Sequence, residues 1–191
     1  MQSQSSRYEQ FILISEISAA LWVHIIAFET TLRKFIHEKV VQSYQVLEWW
    51  LIPALLSPQD FRDMSFAISR LKNRNLPITI ENVLSNLSLS FWVELLSRRY
   101  HEKIWLKIVN YFPAYPGRRE DFYKKAREIR NLRNLIAHHA PIMRRNLFKD
   151  HADLHELTAL LDPELAEEVQ KRSRVLDLLL NARLVGSGGG I

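Results

Sequence analysis

From residue 8 to residue 43 the chain contains neither glycine nor proline, and its apolar side chains keep a helical beat. Phe11, Ile14, Ile17, Leu21, Ile25, Phe28, Leu32, Phe35 and Ile36 recur at steps of three and four, the period of one face of an α-helix. At 3.6 residues per turn the segment makes one helix of roughly ten turns. Such a rod can bury its apolar stripe only against other helices or a sheet. The whole chain has only 5 glycines and 7 prolines, too few for the many tight turns of a strand-rich fold. The expectation is therefore an all-α bundle with a long first helix.

The most apolar part of that helix, Phe11 to Phe28, is interrupted by Glu16 and His24. A membrane span needs about 20 mostly apolar residues, so this stretch is expected to be a buried helix with no membrane partner. The first ten residues are polar and lack a basic start followed by an apolar run, so no secretory signal is expected. The absence of cysteine excludes disulfides and thiolate metal sites and suits a reducing cytoplasm.

Further along, Trp49, Trp50 and Pro53 mark a turn. Ser57-Pro58-Gln59-Asp60 has the form of a cap with proline at the first helical position, predicting a helix over 58–74. A loop at 73–77 precedes a helical stretch from Thr79 or Ile80 to about 86. Phe91 to Ile108 continues an apolar helical face with a kink expected near 97–102, and Pro113, Pro116 and Gly117 break it. The next helix spans 119–139 and ends at Pro141. Asp150 is expected to cap a helix to about 161, and Asp162-Pro163 to open a last one to about 184. Residues 1–185 read as one domain with additional C-terminal helices, and 186–191 as a flexible Gly/Ser tail.

The net charge of +5 is unevenly spread. Residues 1–97 carry 8 basic and 9 acidic side chains, residues 98–149 carry 14 and 4, and the remainder 4 and 8. A basic middle between near-neutral and acidic flanks fits a polyanion-binding surface, and it equally fits a solvated helix face.

Within that basic segment stands Glu128-Ile129-Arg130-Asn131-Leu132-Arg133-Asn134-Leu135-Ile136-Ala137-His138-His139. On a regular helix Arg133 and His138 lie about 140° apart around the axis, so a shared target needs their reach and a distorted last turn before Pro141. A guanidinium that holds a phosphate beside an imidazole that moves protons is a workable RNA-cleaving pair. The alternative is a helix end decorated with cations that complement its dipole.

Arg133-Asn134 followed by His138 resembles the signature of HEPN ribonucleases. The longer string from Leu132 to Ile142 is similar to the Abi-like (abortive infection) family. Two other blocks agree in order: Leu89-Ser90-Phe91-Trp92-Val93-Glu94-Leu95-Leu96-Ser97 with Tyr100, Trp105, Phe112 and Pro113, and Glu29-Thr30-Thr31-Leu32-Arg33 with Trp49-Trp50. The resemblance covers about residues 20–147. It implies a HEPN-type bundle and a metal-independent endoribonuclease, without cofactor, that acts as a homodimer with two motifs meeting at the interface. It also implies anti-phage or toxin-type work and restraint by an inhibitory protein or RNA partner. Arg133 would hold the scissile phosphate, Asn134 orient the imidazole or a phosphate oxygen, and His138 serve as acid or base, with His139 the second choice. Ala140 stands where the family often has an acidic residue.

Glu29 and Arg33 are spaced for a surface ion pair, or Glu29 supports the motif from behind. Arg130, Asn131, Arg144 and Arg145 are candidate RNA contacts, and the first two equally suit tying the helix to a neighbour. His151 and His155 have the i, i+4 spacing of metal ligands, yet without a metalloprotease glutamate they read as part of a surface helix. Of the aromatics among the basic residues (Trp92, Trp105, Tyr111, Phe112, Tyr115 and Tyr123), most read as core, and Tyr115 as the best exposed candidate for stacking on a base. No phosphate-loop, kinase or Ser–His–Asp pattern is present. The competing reading is a non-catalytic RNA- or protein-binding module on the same scaffold.

Overall fold

A computed structural model describes residues 4–114 and 116–187. Among these residues there are helices and turns but no strand. The helices are α1 (Gln4–Tyr44), α2 (Pro58–Asn73), α3 (Ile80–Ser85), α4 (Leu89–Glu94), α5 (Leu106–Ile108), α6 (Arg119–Ala137), α7 (Leu147–Leu161), α8 (Pro163–Lys171) and α9 (Val175–Ser187). The chain divides into two compact units, Met1–Phe28 with Arg127–Ile191, and Glu29–Ala126. The divisions fall inside α1 and α6.

In the unit of residues 29–126, the expected caps are present. Ser57 Oγ accepts from the Asp60 backbone N–H at 3.2 Å and Thr79 Oγ1 from that of Asn82 at 3.1 Å, each satisfying an N–H that the first helical turn leaves open. Asp60 is buried and accepts from the Tyr100 and Ser57 hydroxyls. Phe35, Trp105, Phe112 and Phe122 form one aromatic cluster, with Phe35–Phe112 centroids 4.4 Å apart. Trp92 is fully buried. The kink expected near 97–102 is a change of winding. A 3₁₀ turn at Arg98–Tyr100 runs into a π-helical turn at His101–Trp105 before α5.

The other unit is built on Ile17, Leu21, Ile25, Ile129, Leu132, Leu154, Leu157, Val175 and Leu178, all buried. The first part of α1 departs from expectation, because only one face of it is covered. Phe11 is 70% exposed, and Tyr8, Ile12, Val23 and Ile26 are exposed as well. By length and composition alone Arg7–Tyr44 could cross a membrane, its most apolar window having a mean hydropathy of 2.0 with 33% of it buried.

Three C-terminal expectations need correction. Asp150 does not cap α7. Asn146 does, its side chain accepting from the Lys149 backbone N–H at 3.1 Å, while Asp150 is buried within the first turn. The last helix is two helices. Arg172 leaves the helical conformation, and the Ser173 hydroxyl accepts from the Val175 backbone N–H at 3.3 Å, offering the backbone a new start. Finally, α9 runs to Ser187, so the first two residues of the expected tail are helical. Residues 188–191 and Tyr115 lie outside the described residues.

Candidate functional site

The last turns of α6 carry the motif. Arg130, Asn131, Arg133 and Asn134 are each part-exposed, and His138 and His139 are exposed. Arg130 donates to the Asn131 side-chain oxygen at 3.3 Å, which holds both on the helix surface. Arg133 lies above Trp22 of α1, its guanidinium carbon 5.7 Å from the ring centroid, within the range of a cation–π contact. Trp22 escaped the sequence reading because it stands one position beyond Leu21, outside the apolar stripe used to define α1.

The helix keeps its regular bonding through His138, whose backbone N–H donates to the Asn134 carbonyl at 3.0 Å. It then closes abruptly. His139 adopts φ of 53°, its N–H donates to the Ile136 carbonyl at 3.1 Å, and the Ala140 N–H reaches back to the Leu135 carbonyl at 2.8 Å. This is the Schellman closure, in which the left-handed position is usually glycine. A histidine there carries a backbone strain that glycine would not. The distortion before Pro141 thus comes after His138 rather than between Arg133 and His138.

An open cleft of about 860 Å³ runs beside this end of α6, with Phe11, Ser18, Ala19 and Trp22 on one wall and His139 and Pro141 on the other. His139 faces the cleft, and His138 does not line it.

Arg144 is exposed and has no side-chain partner among the described residues. Arg145 is committed elsewhere. Its Nε and Nη2 grip the two Asp150 oxygens at 2.8 Å each, and Nη2 also donates to Glu128 Oε2 at 3.0 Å. Hydrogen bonding to buried Asp150, then the charges of Asp150 and Glu128, raise its already high pKa. This bidentate clamp ties the loop after α6 to α7 and leaves Arg145 little freedom to grip a phosphate. Glu29, expected as a support for the motif, belongs to the other compact unit.

The histidines of α7 also differ from expectation. His151 is buried rather than on a surface helix. Its ring meets that of buried His24 edge-on at 4.6 Å, and Ser173 Oγ lies 2.8 Å from His24 Nε2 and 3.4 Å from His151 Nε2. Burial lowers the His24 pKa to about 4, with the nearby His151 and His155 adding to the effect. The His151 pKa is lowered for the same reasons, burial first and His155 second. Among the described residues, no group of three or more His, Cys, Asp or Glu side chains is arranged to hold a metal ion.

A scan of protein-family models, a search of curated proteins and a search of solved structures each found no match to this chain.

Proposed function

We propose that this protein is a HEPN-type, metal-independent endoribonuclease of the Abi-like kind, working in an anti-phage or toxin-type system. In this reading the ribose 2′-oxygen attacks the adjacent phosphorus, the bond from phosphorus to the 5′-oxygen breaks, and a 2′,3′-cyclic phosphate remains. One imidazole takes the 2′-hydroxyl proton or delivers a proton to the departing 5′-oxygen, which is the work of His138. Arg133 holds the phosphate and offsets the charge that develops on its oxygens. Asn134, part-exposed between them, orients the imidazole or a phosphate oxygen.

The observation that carries the proposal is the setting of these residues. A part-exposed Arg133, braced by Trp22, and an exposed His138 sit at the end of α6 beside an uncovered apolar stripe of α1. That stripe is Tyr8, Ile12, Ser15, Ala19, Trp22 and Ile26, spaced four, three, four, three and four, the seam spacing of paired helices. Its small central residues permit close approach. The Ser15 and Ser18 hydroxyls are already bonded to the carbonyls of Phe11 and Ile14 at 2.9 and 2.8 Å, so covering them strands no donor. A second copy is the occupant we assign to this seam, because a two-fold dimer brings two motif-bearing helix ends to one interface and lets Arg133 of one protomer serve the phosphate on which His138 of its partner acts.

The test is cleavage of single-stranded RNA by the purified protein in the presence of EDTA. Cleavage leaving 2′,3′-cyclic ends, abolished alike in Arg133→Ala and His138→Ala, is the expected result. Salt-sensitive RNA binding with no turnover would instead favour the non-catalytic module.

A further inference from the structure

A second cationic site lies in the unit of residues 29–126. The π-helical turn His101–Trp105 and the start of α6 flank an open cleft of about 380 Å³ lined by Arg98, Arg99, His101, Lys103 and Arg119 together with Glu102 and Glu120. Four full positive charges meet Glu102, Glu120 and, beside Arg99, Asp60, which leaves an excess of one.

The centre of this arrangement is Arg119, whose side chain is only 5% exposed. Burying a guanidinium is costly unless its hydrogen bonds and its charge are both answered. Its Nη1 donates to the Leu96 carbonyl at 2.8 Å, and Nη2 pairs with Glu120 at 2.6 Å. Glu120 is itself 58% exposed, and the buried Arg119 Nε has no partner among the described residues. Because water screens the half-exposed Glu120 more than the buried guanidinium, the pair leaves part of the Arg119 field to the cleft.

The rim is similarly under-committed. Arg98 is exposed and has no side-chain partner among the described residues. Arg99 approaches Asp60 only to 4.0 Å, and that carboxylate already accepts from Ser57 and Tyr100. Lys103 donates to the Ala54 carbonyl at 2.5 Å, a contact that positions the ammonium without cancelling its charge. π-helical turns are uncommon in helices and recur at functional sites. This one carries both His101 and Lys103.

We infer that this cleft binds a phosphate monoester, whose double negative charge suits its positive excess, and that Arg98, Arg99 and Lys103 are its ligands, with buried Arg119 adding to the positive field behind them. Free nucleotides and the 5′-phosphate end of an RNA chain present that same group. The site is separate in sequence from the Arg133–His138 motif and does not depend on the proposed cleavage.

Calorimetry on the full chain with inorganic phosphate, with AMP and adenosine, and with one RNA oligonucleotide bearing either a 5′-phosphate or a 5′-hydroxyl tests it. The 5′-phosphorylated RNA, or AMP relative to adenosine, is expected to bind about tenfold tighter or more, as befits charge-assisted contacts. Preference among the phosphorylated RNA alone identifies an RNA end as the source, and binding of AMP alone identifies a free nucleotide. Arg98→Gln, at an exposed position, should remove most of that preference, while Arg133→Ala should keep it. Arg119→Lys tests the buried cation, and if that variant does not fold, Arg98→Gln still decides. Equal binding of the phosphorylated and hydroxyl forms, or a preference untouched by Arg98→Gln, would overturn the inference.

Discussion

The Arg133 guanidinium stands over the Trp22 indole, 5.7 Å from its ring centroid, joining the motif on α6 to the exposed seam on α1. The contact gives the arginine an aromatic neighbour on one side. A cation–π contact is worth about 0.5–2 kcal/mol, the more so where water is excluded. Trp22→Ala should therefore lower RNA cleavage by roughly 2- to 30-fold, with Trp22→Phe intermediate. Steady-state cleavage kinetics measure it, and a Trp22→Ala enzyme as fast as wild type would refute the bracing role.

His139 occupies a left-handed cap that glycine fills without strain. His139→Gly is expected to raise stability by about 1 kcal/mol, or roughly 2–4 °C in Tm for a chain of this size. Because His138 is assigned the proton-transfer role, the variant should also retain cleavage. A stable His139→Gly protein that no longer cuts RNA would transfer that role to His139, which faces the cleft.

His24 and His151 give stability a pH dependence of definite sign. In the folded protein their pKa values are depressed, to about 4 for His24, whereas an unfolded histidine titrates near 6.5. As pH falls below about 6.5 the unfolded chain takes up protons that the folded one resists, so this contribution is complete above that pH and is lost as pH falls toward 4. Thermal melts at pH 7.5 and 4.5 should show a drop in Tm that is smaller in His24→Leu. Equal drops in the two proteins would contradict this.

The exposed face of α1 carries the dimer claim. Ile12→Glu puts a charge into the seam at an exposed position. Analytical ultracentrifugation should find wild type dimeric and the variant monomeric, with cleavage reduced in step. A monomeric wild type would remove the seam from the account.

What could be read before the coordinates depended on how local the physics is. Ser57 with Pro58, and Thr79, declare their helix starts through bonds that span three residues, so α2 and α3 begin where expected. The length of α1 follows from its period and from the lack of any breaker. The π-helical turn at His101–Trp105 was expected only as a kink near 97–102, because no marker residue distinguishes π from α winding. Asp150 looked like a cap because aspartate often is one, yet Arg145 claims its carboxylate. His151 and His24 are 127 positions apart in sequence, and nothing in either neighbourhood announces their contact. The same holds for Trp22 and Arg133. The contacts that Trp22 and Asp150 make with arginines could not be read from the sequence.

Mixing two inactive variants tests the shared site most directly. Arg133→Ala and His138→Ala subunits, each inactive alone, are combined at equal amounts under conditions that allow exchange. Half of the dimers then pair unlike subunits, and in each of those one of the two sites has an intact arginine and an intact histidine. Cleavage should return to about a quarter of the wild-type rate. No recovery from a mixture shown to contain mixed dimers would contradict a phosphate held by one protomer's Arg133 and worked on by its partner's His138.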